Sequence, residues 1–497
     1  MNDHTPSLVY ADDPDYTISE GPFEPTWQSL QSFQCHEWFQ DAKLGFWAHW
    51  GPQAVPMYGD WYARNMYIEG SDQYRFHWRT YGHPSKFGFK DVCAAWKAEN
   101  FDPDTLMQQY RQAGAQYFVA LAVHHDNFDC WDSKHHHWNS VSIGPQKDIV
   151  GLWKQAAIRY GLRFGVTEHL ERSYSWFNTN KLADKIGPYV GVPYDGADPQ
   201  YADFYFPPHE DVSFAFPANP PEWWKKQWFL RVRDLLERYE PDLLYTDGGV
   251  PFGEVGRRLI AHFYNTNIRN HGGNGQAVYT LKHYSGEFEH IHGEYVEGIG
   301  VLDVERGAVS EILPRPWQMD TCIGGWFYDR RAVYKTTADV VHMLVDIVSK
   351  NGNLLLNIPL RPEGTFDDES VHVIQGIGRW MAVNGPAIYA TRPWDVFGEG
   401  PTRAGEGAFS ETSQPWTERD FRFTCKGDIL YAFQMAWPAN RKAVITSLKL
   451  AKPLRVKDVT LVGYEGIVSW SQTADGLNID LPPEPPCEAV HTFSIRL

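Results

Sequence analysis

Six short apolar runs in this chain end in side chains that can hold a polyol or move a proton. They close on His49-Trp50, His124-His125, Glu168-His169, Asp247, Lys282-His283 and Asp303-Val304-Glu305. The most informative is Asp247, which follows Asp242-Leu243-Leu244-Tyr245-Thr246 and precedes Gly248-Gly249. Asp-Gly is also a strong hairpin signal, and by itself it reads as a turn. The other runs shift that reading to a carboxylate at the mouth of a barrel strand, with the glycines letting the backbone turn away. Surface turns would supply Asp and Asn, but not so many His and Trp directly after apolar strands. Two carboxylates around a sugar-sized pocket point to glycoside hydrolysis, in which one attacks the anomeric carbon and the other protonates the leaving oxygen. The first must stay ionised and the second must keep its proton near neutrality, so their surroundings have to push their pKa values apart. Asp247 suits the first role. For the second, Glu294, Glu297, Glu305 and Glu311 all lie in the right stretch, and chemistry does not choose among them.

Metal-assisted hydrolysis is the weaker reading. Adjacent histidines on a strand point to opposite faces, so His124 and His125 are poorly placed to share one ion. No H-x-H or H-E-x-x-H spacing supports them, and His135-His136-His137 reads as a solvated loop. Neither a metal nor an organic cofactor is expected.

These side chains need a scaffold that brings distant strand ends together. Strand-like runs cover Leu44–His49, Gln116–Val123, Leu162–His169, Asp242–Asp247, Ala277–His283, Gly300–Glu305, Trp317–Ile323 and Leu354–Ile358. Helical patterns at Phe101–Ala113, Lys147–Tyr160, Glu222–Tyr239, Gly253–Asn270 and Thr337–Lys350 fall between several of them. A last helix is expected over Val371–Val383, opened by Asp367-Asp368 and stopped by Asn384-Gly385-Pro386. Eight strands interleaved with helices imply an α/β fold, a (β/α)8-like catalytic barrel over 36–390. Residues 1–35 are polar and without clear period and read as a loose lead-in. The stretch 178–220, rich in Pro, Tyr and Asp, is long for a connection and suits an active-site mouth. Over 391–497 the pattern changes to strand-like runs with no helix: Phe421–Cys425, Ile429–Trp437, Lys442–Lys449, Val456–Tyr464, Leu477–Leu481 and Ala489–Leu497. That implies a C-terminal antiparallel β-sandwich.

Composition narrows the function further. Aromatic residues make up 15% of the 497 residues, including 21 Trp; most belong in a core, but Trp and Tyr faces also suit sugar rings. A net charge of −17 without a basic run argues against nucleic acid as a partner. No stretch approaches 18 apolar residues, so no membrane span is expected. The N-terminus shows no basic stretch followed by an apolar one, which as given points to the cytoplasm; a removed signal would point to the periplasm or to secretion. The six cysteines are scattered and read as ordinary buried thiols. The oligomeric state is left open, a homo-oligomer included.

Several segments carry a family signature. Lys43-Leu44-Gly45-Phe46-Trp47-Ala48-His49-Trp50-Gly51, Asp60-Trp61-Tyr62, His124-His125-Asp126-Asn127-Phe128-Asp129-Cys130-Trp131-Asp132-Ser133, Tyr245-Thr246-Asp247-Gly248, Asn351-Gly352-Asn353-Leu354-Leu355-Leu356-Asn357-Ile358 and Asn384-Gly385-Pro386-Ala387-Ile388-Tyr389 occur in order. Together they resemble the α-L-fucosidase family, glycoside hydrolase family 29, from about Trp38 to Trp394. The resemblance implies a retaining exo-α-L-fucosidase acting on fucosylated glycans, with Asp247 as nucleophile. It implies His49, His124 and His125 on the sugar hydroxyls, Trp61 lining the pocket and Trp326 near the sugar's methyl group, which needs an apolar wall. Trp50, Asp60, Glu168, His169 and Lys282 complete the expected substrate-binding set. Counting back from Trp317 favours Glu305 as acid/base, with Glu311 second. Four positions depart from the family pattern: Asp60 for Glu, Asn127 for Gly, Glu168-His169 for Tyr and Ser, and Lys282 near where an Arg is usual, a point charge in place of a fork. The alternatives are the same chemistry on α-L-galactosides, or a carbohydrate-binding relative without catalysis.

Overall fold

A computed structural model describes residues 10, 12–284, 292–412, 414–450 and 455–497. Eight parallel strands close a barrel in sequence order: β1 (Leu44–Ala48), β2 (Tyr117–Val123), β3 (Arg163–Glu168), β4 (Leu243–Thr246), β5 (Val278–Lys282), β6 (Val301–Asp303), β7 (Trp317–Cys322) and β8 (Gly352–Asn357). Nearly every strand residue is buried, as expected of parallel strands covered on both faces. Tyr117 shows how tightly the interior is filled. Its hydroxyl reaches Gln318 Oε1 at 3.0 Å, and its ring occupies the space over Gly45, where a Cβ would come within 2.3 Å of it.

The helices that follow their strands are amphipathic and capped. Asp148 accepts from Gly151 N ahead of helix Ile149–Arg159, and Thr336 from Asp339 N ahead of Thr337–Ser349. Among the described residues no helix lies between β5 and β6, or between β6 and β7. The connection between β6 and β7 is one place where the second domain reaches the barrel. The last barrel helix runs Asp368–Ile388, one turn beyond the stop expected at Asn384-Gly385-Pro386. A proline so close to a helix end removes only one backbone bond, the Asn384 amide donates to the Trp380 carbonyl, and Tyr389 N still bonds Gly385 O.

The segment before β1 is not loose. Tyr16 packs on Phe229, Phe23 and Phe33 on Tyr264, and the Asn265 amide ties down Ser19 and Phe23. Residues 1–9 and 11 of the expected lead-in lie outside the described residues.

The C-terminal domain contains β9 (Arg392–Glu399), β10 (Phe421–Lys426), β11 (Ile429–Gln434), β12 (Lys442–Ile445), β13 (Asp458–Leu461), β14 (Ser469–Gln472), β15 (Leu477–Asp480) and β16 (His491–Arg496). They form a five-stranded sheet, β13-β16-β11-β10-β9, and a three-stranded one, β12-β15-β14, around their own apolar core. β9 and β14, absent from the sequence reading, are both edge strands. Half exposed and partnered on one side, they need no alternating apolar pattern. No helix among the described residues is long and apolar enough to cross a membrane.

Candidate active site

The C-terminal ends of the barrel strands open into one cavity of about 990 Å³, at the upper end of the roughly 300–1,000 Å³ usual for small-molecule sites. Its floor is charged. Lys282, the last residue of β5, bonds Asp247 Oδ1 at 2.7 Å and Glu305 Oε2, and lies 3.7 Å from Asp320 Oδ2. From another side, Arg172 Nη2 donates to the Asp247 backbone carbonyl at 2.8 Å and stands 3.3 Å from Oδ2. Gly248 and Gly249 serve close approach more than exposure. Gly249 N bonds His292 O, and a Cβ on Gly249 would meet Glu294 O at 2.6 Å. Asp247 is thereby pinned from both sides.

These contacts separate the two carboxyls. Burial would raise Asp247, but the Lys282 ammonium and the Arg172 guanidinium, with His169 and His125, hold it well below the usual carboxylate range. Burial pushes Glu305 up to about 7; Lys282 opposes the rise, and the charges of Asp320 and Asp247 support it. Burial would also strip Lys282 of its proton, yet Asp247, Asp320 and Glu305 keep it charged. Of the four glutamates open from sequence, only Glu305 lines the cavity. Glu294, Glu297 and Glu311 are exposed, the first two paired with Arg257 and Arg315.

The wall is built from histidine and tryptophan. His124 and His125 do not point to opposite faces. β2 ends at Val123, so both rings lie beyond the pleat, with centroids 4.4 Å apart and both facing the cavity. His125 Nδ1 meets the His169 carbonyl at 2.6 Å, and its Nε2 lies 3.3 Å from Asp247 Oδ2. Burial pushes His49 down to about 3 and His124 and His169 well below their ordinary value, so these rings are neutral near pH 7. Burial likewise pushes Asp60 up to about 7. Trp47 Nε1, both ring nitrogens of His49, Asp60 Oδ1 and His169 Nε2 are buried without a hydrogen-bond partner among the described residues. Such atoms are costly unless paired, so the wall is suited to a ligand rich in hydroxyls. Trp61, held in the left-handed region at φ 61°, and Trp326, 5.2 Å from the Trp47 ring, supply apolar faces.

Ligand atoms of His124, His125 and His169, of His49, Asp60 and His124, and of His125, Glu171 and Asp247 fall within 4.8 Å of one another, a spacing that could hold a cation. The donor chemistry of His124 fits that poorly. Gln53, its Oε1 fixed by Ala63 N, donates Nε2–H to His124 Nδ1 at 2.8 Å. The neutral ring then carries its proton on Nε2, the nitrogen facing Asp60.

Two expected residues do not reach the cavity. Trp50 turns outward from its neighbour His49, packs between Trp96 and Phe101, and donates Nε1 to the Arg361 carbonyl. Glu168 is buried behind the wall, where it accepts from Leu170 N, Trp228 Nε1 and Thr246 Oγ1; it fixes the turn that presents His169 and Arg172. Asn127 also has a local reason: it sits at φ 61°, a position tolerant of Gly and Asn, with its amide held by Arg231 and the Phe204 carbonyl. Several cavity residues escaped the sequence reading, and three of them come from unexpected places. Arg172 follows the β3 end by a few residues and was overlooked there, Phe214 comes from the long 178–220 stretch, and Phe409 comes from the second domain.

One carboxylate held ionised beside another that keeps its proton, at the mouth of a parallel barrel, is the division of labour of a glycoside hydrolase. The chain belongs to the α-L-fucosidase family, which it matches over residues 13–386, and it matches the α-L-fucosidase C-terminal domain over 414–496. It is 28% identical to the tissue α-L-fucosidase of Homo sapiens over 95% of this chain and 90% of that protein. Against the tissue α-L-fucosidase of Mus musculus the identity is 28%, over 93% of this chain and 91% of the relative. In fold it resembles Thermotoga maritima α-fucosidase in complex with a mechanism-based inhibitor, with a TM-score of 0.74 at 24% identity, covering 96% of this chain and 100% of that one.

Proposed function

We propose that this chain is a retaining exo-α-L-fucosidase that releases terminal α-L-fucose from glycans. The observation that carries the reading is that one buried ammonium, Lys282 Nζ, touches both Asp247 and Glu305. Oxygens sharing one ammonium lie within about 5 Å of each other, near the roughly 5–5.5 Å carboxyl spacing of double-displacement enzymes and short of the ~6.5–9.5 Å that an inverting enzyme needs for its water. In the first step Asp247 Oδ attacks the anomeric carbon as the glycosidic C–O bond breaks, and Glu305 gives its proton to the departing oxygen. A β-fucosyl ester on Asp247 and an ionised Glu305 result. Esterification removes the Asp247 charge that helps hold Glu305 protonated, leaving Lys282 to favour the Glu305 carboxylate. Glu305 then takes a proton from water as that water displaces Asp247, and two inversions restore the α configuration.

The wall fits the sugar. Neutral His49 and His169 each offer donor and acceptor nitrogens to hydroxyls, His124 offers its Nε2–H, and Trp47 and Trp326 give the C6 methyl an apolar surface. The names of the relatives, all α-L-fucosidases, support the same substrate. Proton NMR of the first product tests the mechanism: α-L-fucose appears first and then mutarotates. β-L-fucose as first product would contradict the double displacement. Activity is expected to survive EDTA; its loss on chelation, with recovery on adding a divalent cation, would favour the metal reading.

A further inference from the structure

The connection between β9 and β10 leaves the C-terminal domain and docks on the barrel mouth. Glu411 anchors it. The carboxylate accepts from Thr321 Oγ1 at 2.6 Å and Lys335 Nζ at 2.9 Å, and pairs with Arg306 Nε at 2.8 Å. Backbone bonds run beside this anchor: Gly407 N to Ala308 O, Phe409 N to Glu305 O and Glu411 N to Arg306 O, all within 2.8–2.9 Å. The segment that carries Glu305 is therefore bonded along its length to a loop from another domain. The two chains approach so closely that a Cβ on Gly307 would lie 1.9 Å from Gly407 O.

The contact is held against local backbone preference. Arg306 sits at φ 46° and Phe409 at φ 56°, both in the left-handed region that non-glycine residues avoid. Such strain persists only where the surroundings over-determine it, and it clusters at binding and active sites. What this arrangement achieves is the placement of one ring. Phe409 is 64% exposed, yet it lines the cavity with Gly407, Ala408 and Glu305. An exposed phenyl on a rigid backbone gives an apolar face at little conformational cost.

Taking the fucosidase reading as its basis, we infer that residues 400–412 build the leaving-group subsite, with Phe409 as the platform for the first sugar ring of the departing glycan. The leaving oxygen must lie beside Glu305 to receive its proton. Phe409 is bonded through its own backbone to Glu305, so its ring flanks whatever that oxygen is attached to. Glu411 is a positioning residue, fixing Phe409 and the Glu305 segment in one register.

The test compares two substrates in Phe409→Ala: α-L-fucosyl fluoride, whose leaving group has no ring, and the α-L-fucosyl disaccharide isomer that the parent cleaves fastest. The expected result is a loss of roughly five- to tenfold in kcat/KM on the disaccharide, the scale of one aromatic contact. The fluoride should change by less than about twofold, and Phe409→Tyr should restore the disaccharide rate. Equal losses on both substrates, or none on either, would overturn the subsite while leaving the fucosidase reading in place. A parent that cleaves neither substrate would overturn the reading beneath it.

Discussion

Two buried clusters in this molecule contain the same three residue types and do different things. At the barrel mouth Asp247 lies between Lys282 and Arg172. At the seam between the domains Asp346 accepts from Arg422 Nε at 2.5 Å and Lys350 Nζ at 2.7 Å. In both, burial would raise the carboxyl and the two cations hold it below its ordinary value. The difference lies in what surrounds them. At the seam two cations share one carboxylate, and the rings of Phe397 and Trp416 lie over the Arg422 guanidinium; with cations in excess, nothing there holds a carboxyl protonated. At the mouth Lys282 faces Asp247, Glu305 and Asp320 together, with the Asp303 carboxyl close enough to feel Asp320. Lys282 and Arg172 are outnumbered by these carboxyls; burial, with the neighbouring acid charges, favours the protonated forms of Glu305 and Asp303. A surplus of acid over cation, opening on a cavity, turns an ion cluster into a proton donor.

Substitutions at the two clusters should separate catalysis from stability. The largest effect is Asp247→Ala, expected to lower kcat by about 10⁴-fold or more on a nitrophenyl fucoside. Its stability loss should be smaller than at the seam, because Lys282 keeps Glu305 and Asp320. Asp346→Ala should do the reverse, costing about 3–5 kcal/mol in denaturant unfolding as two buried cations lose their partner, with kcat per folded molecule retained. If Asp346→Ala abolished turnover of folded protein, the distinction between the clusters would collapse. Lys282→Met should lower kcat about 10²–10³-fold. Because Lys282 depresses Asp247, its loss should also move the acid limb of kcat/KM upward, toward the ordinary carboxylate range.

Smaller effects sharpen the comparison. The proposed mechanism requires Glu305 protonated, so kcat/KM should fall as pH rises through about 7 and hold on the acid side, where Asp247 stays ionised. Glu305→Gln, assayed on a substrate with a good leaving group, should flatten that basic limb; a limb that persists would assign it to another residue. Least affected is sugar choice. Trp326→Ala should narrow the preference for nitrophenyl fucoside over the α-L-galactoside by roughly tenfold, since an apolar wall discriminates against an added hydroxyl only weakly.

The barrel was legible because its strands are buried on both faces and end abruptly in polar residues, so pattern and chemistry coincide at Asp247, His124 and Lys282. Elements that obey neither rule were not. β9 and β14 are sheet edges, and the last helix runs past Pro386 because a proline near a helix end removes only one backbone bond, while Tyr389 N still bonds Gly385 O. Trp50 and Glu168 sit in the right segments with their side chains elsewhere, since adjacency along the chain does not fix which way a residue turns after a strand ends. Phe409 had no signal at all. Its place depends on Glu411 meeting Arg306, Thr321 and Lys335, a meeting between domains that local pattern does not encode.

The central claim is that Asp247 becomes covalently bonded to the sugar while Glu305 moves the proton. Incubation with a 2-deoxy-2-fluorofucosyl fluoride, proteolysis and mass spectrometry address it directly. The account predicts a single fluorofucosyl ester on the peptide containing Asp247, accumulating as activity is lost. A label on Glu305, or on any other residue, would contradict it.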